Sequence, residues 1–479
     1  MVSCARRISD VSRFAPVVPV AALLALALTA CSGTGVEGTP GGSGVRDPYF
    51  PKAGNGGYDV THYDLALSYT PDTRHLTART TITARAGQDL SAFNLDLQGL
   101  NVGTVTVDGT AARWNRAGQE LTVRPRDDLA EGRTFRVTVR YSGTPATLTD
   151  PDGSREGWLP TDDGALALGQ PVGSMAWYPG NHHPSDKATY DIRVTVPEGL
   201  RAVSNGELRN ESTTDGRTTT TWHTGQPMAS YLTTLAIGRY DISRTVTPDR
   251  LPVYTAVDPT EAAASREVLA RIPEVLAWAE DLFGPYPFTA TGAIVDRTGD
   301  AAYALETQTR PVFPGAPDIR LLVHELAHQW YGNSVTPRSW RDMWLNEGFA
   351  TYAEWLWQED HGGDTAQHTF DALYDGTHYA VPEDNKAVWS FPPAHPPDAA
   401  HISGRPVYDR GAMVLHKIRQ TLADDTAFRD LLRGWATTHR HANASTEDFT
   451  AYVEQRAPEK DFDGVWEEWL YGEGRPGRR

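Results

Sequence analysis

The sequence predicts an α+β protein in which an antiparallel β domain precedes a mainly helical domain. Apolar and polar residues alternate with a period of two in several segments between residues 58 and 245, which is typical of strands with one buried face. After Asp258 the chain becomes rich in Ala, Leu and Glu, and its apolar residues recur at helical spacing. A His-Glu-x-x-His motif at residues 324–328 lies in this helical half. We place the domain boundary near residue 250.

The first 45 residues are predicted to lie outside these two domains. Residues 1–30 contain a basic segment followed by an apolar run from Val17 to Leu28, which is short for a membrane span and typical of an export signal. Residues 31–45 are rich in Gly, Ser and Thr and predict a flexible tether. The sequence leaves open whether export follows the general or the twin-arginine route.

Cys31 gives the export signal a more specific interpretation. It follows Leu28-Thr29-Ala30, and this segment resembles the lipobox of bacterial lipoprotein signals. Cleavage before Cys31 leaves a lipidated N-terminal cysteine, so we expect an exported protein anchored at the extracytoplasmic face of the cell membrane. An ordinary secretory signal and an uncleaved anchor are the alternatives.

Composition narrows the class of protein further. The two cysteines, Cys4 and Cys31, both lie in the N-terminal segment, so stability is expected to come from apolar cores rather than from disulfides. The net charge of −17 argues against nucleic acid as a partner. The chain is long enough for two substantial domains. Its oligomeric state does not follow from the sequence.

Residues 46–250 are predicted to form the antiparallel, β-sandwich-like domain. Tyr63, Leu65, Leu67 and Tyr69 alternate with more polar or smaller residues, and this pattern buries one face of a sheet. The same period recurs at residues 76–84, 93–97, 105–107 and 135–141. Turn-forming pairs such as Asp108-Gly109 and Asn205-Gly206 separate the predicted strands.

Residues 251–479 are predicted to form the helical domain. Helix-favouring residues predominate from Glu261 to Leu282, and Pro273 is the one obstacle to a single helix there. Helical patterns continue to the C-terminus, and a proline-rich loop at residues 381–397 interrupts them.

The motif at residues 324–328 predicts a metal site. His324 and His328 are separated by one helical turn, so both imidazoles project from one face toward a common ion. Asp318 is the predicted N-cap of this helix, and its apolar stripe lies opposite the two imidazoles, whereas a histidine that only fills the core would lie in that stripe. Glu325 lies about 100° around the helix, where it can take a proton from a metal-activated water.

Glu347 is the predicted third ligand. It lies on a segment, residues 342–360, that is apolar nearly all round, and such a helix is buried. A carboxylate there is costly unless it is paired or binds a metal. Two His and one Glu suit one Zn²⁺ per chain and leave a coordination position for water. Glu354 is either an acceptor for a ligand imidazole, or a surface carboxylate or part of a structural salt bridge.

Several segments resemble the aminopeptidase N family of gluzincin zinc metallopeptidases. Eighteen residues separate His328 from Glu347, as in that family, and the Asn346-Glu347-Gly348-Phe349-Ala350 segment is similar to its third-ligand segment. Four further segments resemble segments of the family and occur in the same order. They lie at residues 177–179, 283–288, 330–333 and 469–472. The resemblance covers about residues 46–475 and implies a thermolysin-like fold for the helical domain.

The resemblance also implies residues that bind the substrate. Tyr303-Ala304-Leu305-Glu306-Thr307 stands where the family has Gly-Ala-Met-Glu-Asn; its Glu binds the free α-amino group of the substrate. Glu306 matches that position, whereas the family's Gly and Asn are replaced here. Gln170 stands where the β domain of the family offers a residue to the substrate N-terminus.

Tyr408, in Val407-Tyr408-Asp409-Arg410-Gly411, resembles the catalytic tyrosine of the family. A phenol is protonated at neutral pH, so it can donate a hydrogen bond to a developing oxyanion. A tyrosine that only packs under the following helix, predicted from Gly411 to Leu422, is the alternative.

Together these residues imply a zinc-dependent aminopeptidase acting on peptides with a free N-terminus. Larger members of the family continue into further domains that roof the active site, so the resemblance implies a more open cleft here. Two alternatives are a zinc endopeptidase on the same scaffold and a non-catalytic surface lipoprotein with a relic metal site.

Overall fold

The computed structural model of the protein describes residues 36–478. The predicted signal, residues 1–30, and Cys31 lie outside the described residues. Among the described residues, no helix combines the length and the apolar character that spanning a membrane requires. The described residues belong to a single compact unit.

The N-terminal half is built from strands, as its period-two pattern predicts. Between them lie short turns and three single-turn 3₁₀ segments. The strands are β1 (Thr39–Pro40), β2 (Tyr58–Thr70), β3 (His75–Ala86), β4 (Leu90–Asp96), β5 (Asn101–Val107), β6 (Thr110–Ala111), β7 (Arg113–Ala117), β8 (Glu120–Arg124), β9 (Thr134–Gly143), β10 (Thr147–Thr149), β11 (Arg155–Pro160), β12 (Ala165–Leu168), β13 (Lys187–Pro197), β14 (Arg201–Ser204), β15 (Glu207–Thr214), β16 (Arg217–Ala229), β17 (Leu235–Gly238) and β18 (Asp241–Val246).

These strands form three sheets and part of a fourth. The largest has eight strands in the order β15-β16-β13-β2-β3-β9-β5-β6, and all its pairs are antiparallel except β13 with β2. Tyr63, Leu65, Leu67 and Tyr69 of β2 are at most 3% exposed, which confirms the predicted buried face. The other two sheets have the orders β1-β4-β8-β7 and β10-β11-β12-β17-β14.

The predicted tether differs from a flexible linker over its described part, residues 36–45. Thr39 and Pro40 pair in parallel with Leu90 and Ala92 of β4. A Cβ atom on Gly38 would lie 2.5 Å from the backbone carbonyl carbon of Leu90, so a glycine permits this close approach. The glycine content that suggested flexibility therefore serves backbone packing here.

The C-terminal half is mainly helical, as predicted. Five short strands accompany the helices: β19 (Pro252–Val257), β20 (Thr291–Val295), β21 (Val312–Phe313), β22 (Thr336–Pro337) and β23 (Asn443–Ala444). The α-helices are α1 (Ala262–Leu269), α2 (Ile272–Phe283), α3 (Ile319–Ala327), α4 (Trp344–Asp360), α5 (Ala366–Asp375), α6 (Pro382–Ala387), α7 (Gly411–Leu422), α8 (Asp425–Thr438) and α9 (Thr446–Arg456).

Pro273 explains why the segment from Glu261 to Leu282 forms two helices. It is the second residue of α2, in the first helical turn, where a missing backbone N–H costs nothing. The chain therefore ends α1 at Leu269 and begins α2 at Ile272. The segment predicted as a proline-rich loop also contains the short helix α6.

Buried polar contacts connect the two halves close to the metal-binding motif. Lys187 on β13 donates from Nζ to the carbonyl oxygens of Asn333, at 3.0 Å, and Ser334, at 2.9 Å, just after α3. Strand β18 pairs with β19 across residue 250, and the domain boundary at that residue stays a prediction. These contacts fix the β-rich half against the segment that follows the motif.

Candidate active site

Helix α3 presents His324 and His328 toward Glu347. Asp318 caps the helix, because its side chain accepts a hydrogen bond from the backbone N–H of Leu321, as predicted. The Nε2 atoms of His324 and His328 each lie 3.3 Å from Oε2 of Glu347. The three predicted ligands therefore offer three donor atoms to one point in space.

Close packing of α4 brings Glu347 to this point. A Cβ atom on Gly348 would lie 2.9 Å from the backbone carbon of Gly411 at the start of α7. Two glycines thus allow the backbones of α4 and α7 to approach closely. The aromatic and aliphatic side chains around α4 are buried, as the sequence predicts for a helix that is apolar nearly all round.

Hydrogen bonds at Nδ1 orient both imidazoles. His324 Nδ1 lies 2.7 Å from Oε1 of Glu354, and His328 Nδ1 lies 3.0 Å from the carbonyl oxygen of Tyr331. Both partners only accept, so each Nδ1 carries a proton, and each Nε2 is left facing the Glu347 carboxylate. Glu354 also accepts from Arg320, at 2.8 Å, so both interpretations of this residue hold.

The electrostatics of the cluster favour a bound cation. Burial opposes ionisation of Glu347, but the two imidazoles lower its pKa to about 2. Burial likewise opposes a charged His328, but Glu347 and Glu306 raise the pKa of its imidazole to about 9. The site therefore stabilises positive charge among its donors. Two imidazoles and a carboxylate, oriented by further hydrogen bonds, form a donor set that fits Zn²⁺.

Glu325 lies beside the ligands without joining them. It is 4% exposed, and its Oε2 atom has no hydrogen-bond partner among the described residues. Burial raises the pKa of this carboxyl to about 8, against the opposing effect of the two imidazoles. A buried carboxylate oxygen with a free acceptor position is suited to take a proton from a water or substrate.

Two side chains that follow the metal-binding motif hold Glu306 in place. Its carbonyl oxygen accepts from Asn333 Nδ2 at 2.6 Å and from Gln329 Nε2 at 3.3 Å, and the residue is 3% exposed. A ligand atom of its carboxylate lies within 4.8 Å of one from Glu325 and one from His328. Gln170 Nε2 is 3.5 Å from Glu306 Oε1, which places the two residues side by side.

Tyr408 packs against the ring of His324. It belongs to a π-helical turn, Pro406–Arg410, that leads directly into α7, and α7 has the predicted bounds. Its ring stacks on the His324 ring, with centroids 6.0 Å apart. Burial and the nearby Glu347 raise the pKa of the phenol well above its usual value, so it retains its proton.

A pocket of about 310 Å³ joins these groups. Its walls include Gln170, Glu306, Glu325, His328, Glu347 and Tyr408. His324 is not among the residues that line the pocket, but its Nε2 atom contacts Glu347, which is. The structure thus brings together all seven site residues suggested by the sequence, and their individual roles stay predictions.

The pocket also contains residues that the sequence did not suggest. Asp150 and Asp152, from the turn between β10 and β11, line it together with Ile402 and Ser403. An Asp-Pro-Asp-Gly segment is typical of an ordinary turn, so its sequence carries no signal of a binding site. Gln329 directly precedes the family-like segment at residues 330–333, and Asn333 ends it, but only the structure shows that they hold Glu306.

Comparison with known families and structures agrees with this geometry. Residues 316–469 match the Peptidase family M1 domain, and residues 60–232 match the Peptidase M1 N-terminal domain. The structure is similar to that of an M1 zinc metallopeptidase variant from Deinococcus radiodurans bound to a Tyr-Ser-Ala substrate. The TM-score is 0.82 and the identity 31%, over 91% of this chain and 99% of that one.

Sequence relatives are more distant and mostly longer. Leukotriene A-4 hydrolase from Xenopus laevis is 25% identical over 88% of this chain and 72% of its own length. Glutamyl aminopeptidase from Homo sapiens is 26% identical over 62% of this chain. The alignment covers only 33% of the length of that second protein.

Proposed function

The chain belongs to the M1 family of zinc metallopeptidases, and from this premise we propose that it removes N-terminal residues from peptides. One observation carries the proposal: the buried carboxylate of Glu306 shares a pocket with Glu325, His328 and Glu347. A carboxylate there pairs with a protonated α-amino group and limits cleavage to the first peptide bond. The Tyr-Ser-Ala substrate in the related Deinococcus radiodurans structure supports this proposal.

His324, His328 and Glu347 would hold the zinc. When bound, zinc polarises a carbonyl group and lowers the pKa of water. Glu354 and the Tyr331 carbonyl keep the two imidazoles in the tautomer that binds metal.

Glu325 is the proposed general base. Glu325 lines the pocket, and its Oε2 atom has no hydrogen-bond partner among the described residues. Its carboxylate accepts a proton from the attacking water and then transfers that proton to the leaving amine. Tyr408 donates its phenolic proton in a hydrogen bond to the developing oxyanion. Glu306 and Gln170 hold the substrate N-terminus, so that the first peptide bond lies between these groups.

Free and N-acetylated peptides test the direction of cleavage. We expect a free tripeptide to lose its first residue and its N-acetylated counterpart to be resistant, because acetylation removes the charge that Glu306 pairs with. Chromatography of the products with and without a chelator measures both exopeptidase action and metal dependence. Equal cleavage of both peptides would favour the endopeptidase alternative. A zinc-loaded protein that leaves both intact would favour the relic metal site.

Replacement of Tyr408 by Phe tests the oxyanion role. We expect kcat to fall by about 10²–10³-fold, as for loss of one oxyanion donor, with little change in KM, because the ring still stacks on His324. Steady-state kinetics on an aminoacyl amide measures both constants. Tyr374→Phe, on α5 and away from the pocket, is the control. An unchanged kcat for Tyr408→Phe would leave this residue a packing role alone.

We also propose that the protein is exported and lipid-anchored through Cys31. The apolar run and the lipobox-like segment before Cys31 support this proposal. We expect metabolic labelling with an alkyne fatty acid to mark the wild type and not Cys31→Ala. Fractionation should then move Cys31→Ala out of the membrane pellet, with Cys4→Ala as the control. A labelled Cys31→Ala protein would contradict the assignment.

A further inference from the structure

The turn between β10 and β11 brings two carboxylates to the active-site pocket. Asp150 and Asp152 line the same pocket as Glu306, Glu325 and Glu347. His328 is the one basic group in this lining, and no lysine or arginine of the described chain contributes to it. If all five carboxylates of the lining are ionised, they carry two more negative charges than a zinc ion and a substrate ammonium group together supply.

The charge balance leaves the aspartate pair without a partner. Five carboxylates carry five negative charges when ionised; zinc supplies two positive charges and the substrate α-ammonium group one. Neither Asp150 nor Asp152 forms an ion pair among the described residues. The Oδ1 atom of Asp150 is buried and lacks a hydrogen-bond partner there. Burial and the neighbouring Asp152 raise the pKa of Asp150 to about 7, and a nearby cation would relieve both effects.

The turn that carries the pair is rigidly built. Asp150 N–H donates to the Ser154 carbonyl at 2.9 Å, and Gly153 N–H donates to the Asp150 carbonyl at 2.9 Å. Gly153 has a φ of +90°, which favours glycine at this position. Ser154 N–H donates to Asp152 Oδ1 at 2.8 Å, and the second carboxylate oxygen of Asp152 has no protein donor among the described residues.

A buried contact connects this hairpin to the Gln170 segment. Glu156, on β11, accepts from the backbone N–H groups of Val172 at 3.1 Å and Gly173 at 2.8 Å. Gln170 in turn lies beside Glu306. These contacts hold the hairpin that carries the aspartate pair against the segment that lies beside Glu306.

A second observation indicates that this pocket receives a ligand. Glu325 is 4% exposed and also lines this space, and its Oε2 atom has no hydrogen-bond partner among the described residues. Pro171, Ala302, Ala304 and Ile402 also line it, so apolar walls accompany the carboxylates. A side chain with a methylene stem and a cationic end matches both features.

We propose that Asp150 and Asp152 select peptides whose N-terminal residue is arginine or lysine. This inference rests on the proposed aminopeptidase function and names its substrate class. Glu306 pairs with the α-ammonium group, and the aspartate pair accepts hydrogen bonds from the cationic end of the first side chain. Arginine is preferred, because its planar guanidinium can bond to two carboxylates at once.

Matched neutral substrates test the proposal. Citrulline has the shape of arginine without its charge, and norleucine is a neutral counterpart of lysine. We expect kcat/KM for the arginyl amide of aminomethylcoumarin to exceed that for the citrullyl amide by about 10- to 100-fold, as for a hydrogen bond to a charged group. Asp150→Asn and Asp152→Asn should reduce this ratio and together bring it close to one. Asp249→Asn removes the same charge at an exposed position outside the pocket and should leave the ratio unchanged.

A binding measurement separates this proposal from the proposed function. Calorimetric titration of the zinc-loaded protein with free L-arginine and with L-citrulline needs no turnover. Tighter binding of arginine that the Asp150→Asn, Asp152→Asn double variant abolishes would support the pocket even if no amide were hydrolysed. Equal kcat/KM for the arginyl and citrullyl amides, together with equal affinity for L-arginine and L-citrulline, would overturn the proposed specificity. A preference for arginine that survives in the double variant would overturn it as well. Cleavage of the neutral amides would then leave the aminopeptidase proposal standing.

Discussion

Glu325→Gln is expected to reduce turnover by at least about 10²–10⁴-fold, the usual contribution of a general acid–base group. The amide has nearly the same shape as the carboxylate but cannot accept a proton from water. Zinc content should stay that of the wild type, because the proposed ligands are His324, His328 and Glu347, whose donor atoms meet without Glu325. Steady-state kinetics on an aminoacyl amide, together with elemental analysis of the same sample, measures both quantities.

The control for this variant is Glu267→Gln, on the exposed face of α1. It makes the same chemical change at an exposed position away from the pocket, so kinetics and zinc content should both match the wild type. A Glu325→Gln protein with zinc and with wild-type kcat would remove Glu325 from the proposed mechanism. A loss of zinc would instead show that Glu325 contributes to metal binding.

The metal-binding helix could be predicted from sequence because its determinants are local. The spacing of His324 and His328, the cap at Asp318 and the apolar stripe all depend on residues within about three helical turns. The helix from Gly411 to Leu422 was likewise predicted with its observed bounds. Glu347 is less local, and it was identified through its position in a buried helix together with the family resemblance.

Other features depend on contacts that no local pattern encodes. Asp150 and Asp152 enter the pocket only because the β10–β11 hairpin packs against the Gln170 segment. The role of Glu354 was open between two interpretations, since sequence spacing does not determine which partner a carboxylate contacts. The glycines near residue 40 suggested flexibility, and the structure shows that one of them permits close backbone packing instead. Such outcomes depend on tertiary packing, which composition does not report.

Glu347→Gln is the second substitution with a large expected effect, and it should abolish stable zinc binding. The carboxylate brings a negative charge to within 3.3 Å of both Nε2 atoms, and a neutral amide is a poor zinc ligand. Zinc should therefore dialyse from this variant under conditions in which the wild type retains it. Activity should fall in proportion to the zinc that is lost.

Glu354→Gln should lose less zinc affinity than Glu347→Gln, and the size of the loss measures what Glu354 contributes. The amide oxygen can still accept from His324 Nδ1, but the charge that strengthens this imidazole as a ligand is removed, which costs about 10–100-fold in metal affinity. Arg320→Met removes the other partner of Glu354 while keeping the contact with His324, so zinc affinity should change little. Competition with a chromogenic chelator measures all three affinities. If Arg320→Met weakens zinc as much as Glu354→Gln does, the ion pair rather than the imidazole contact is what Glu354 contributes. If neither variant differs from the wild type, Glu354 does not contribute to zinc affinity.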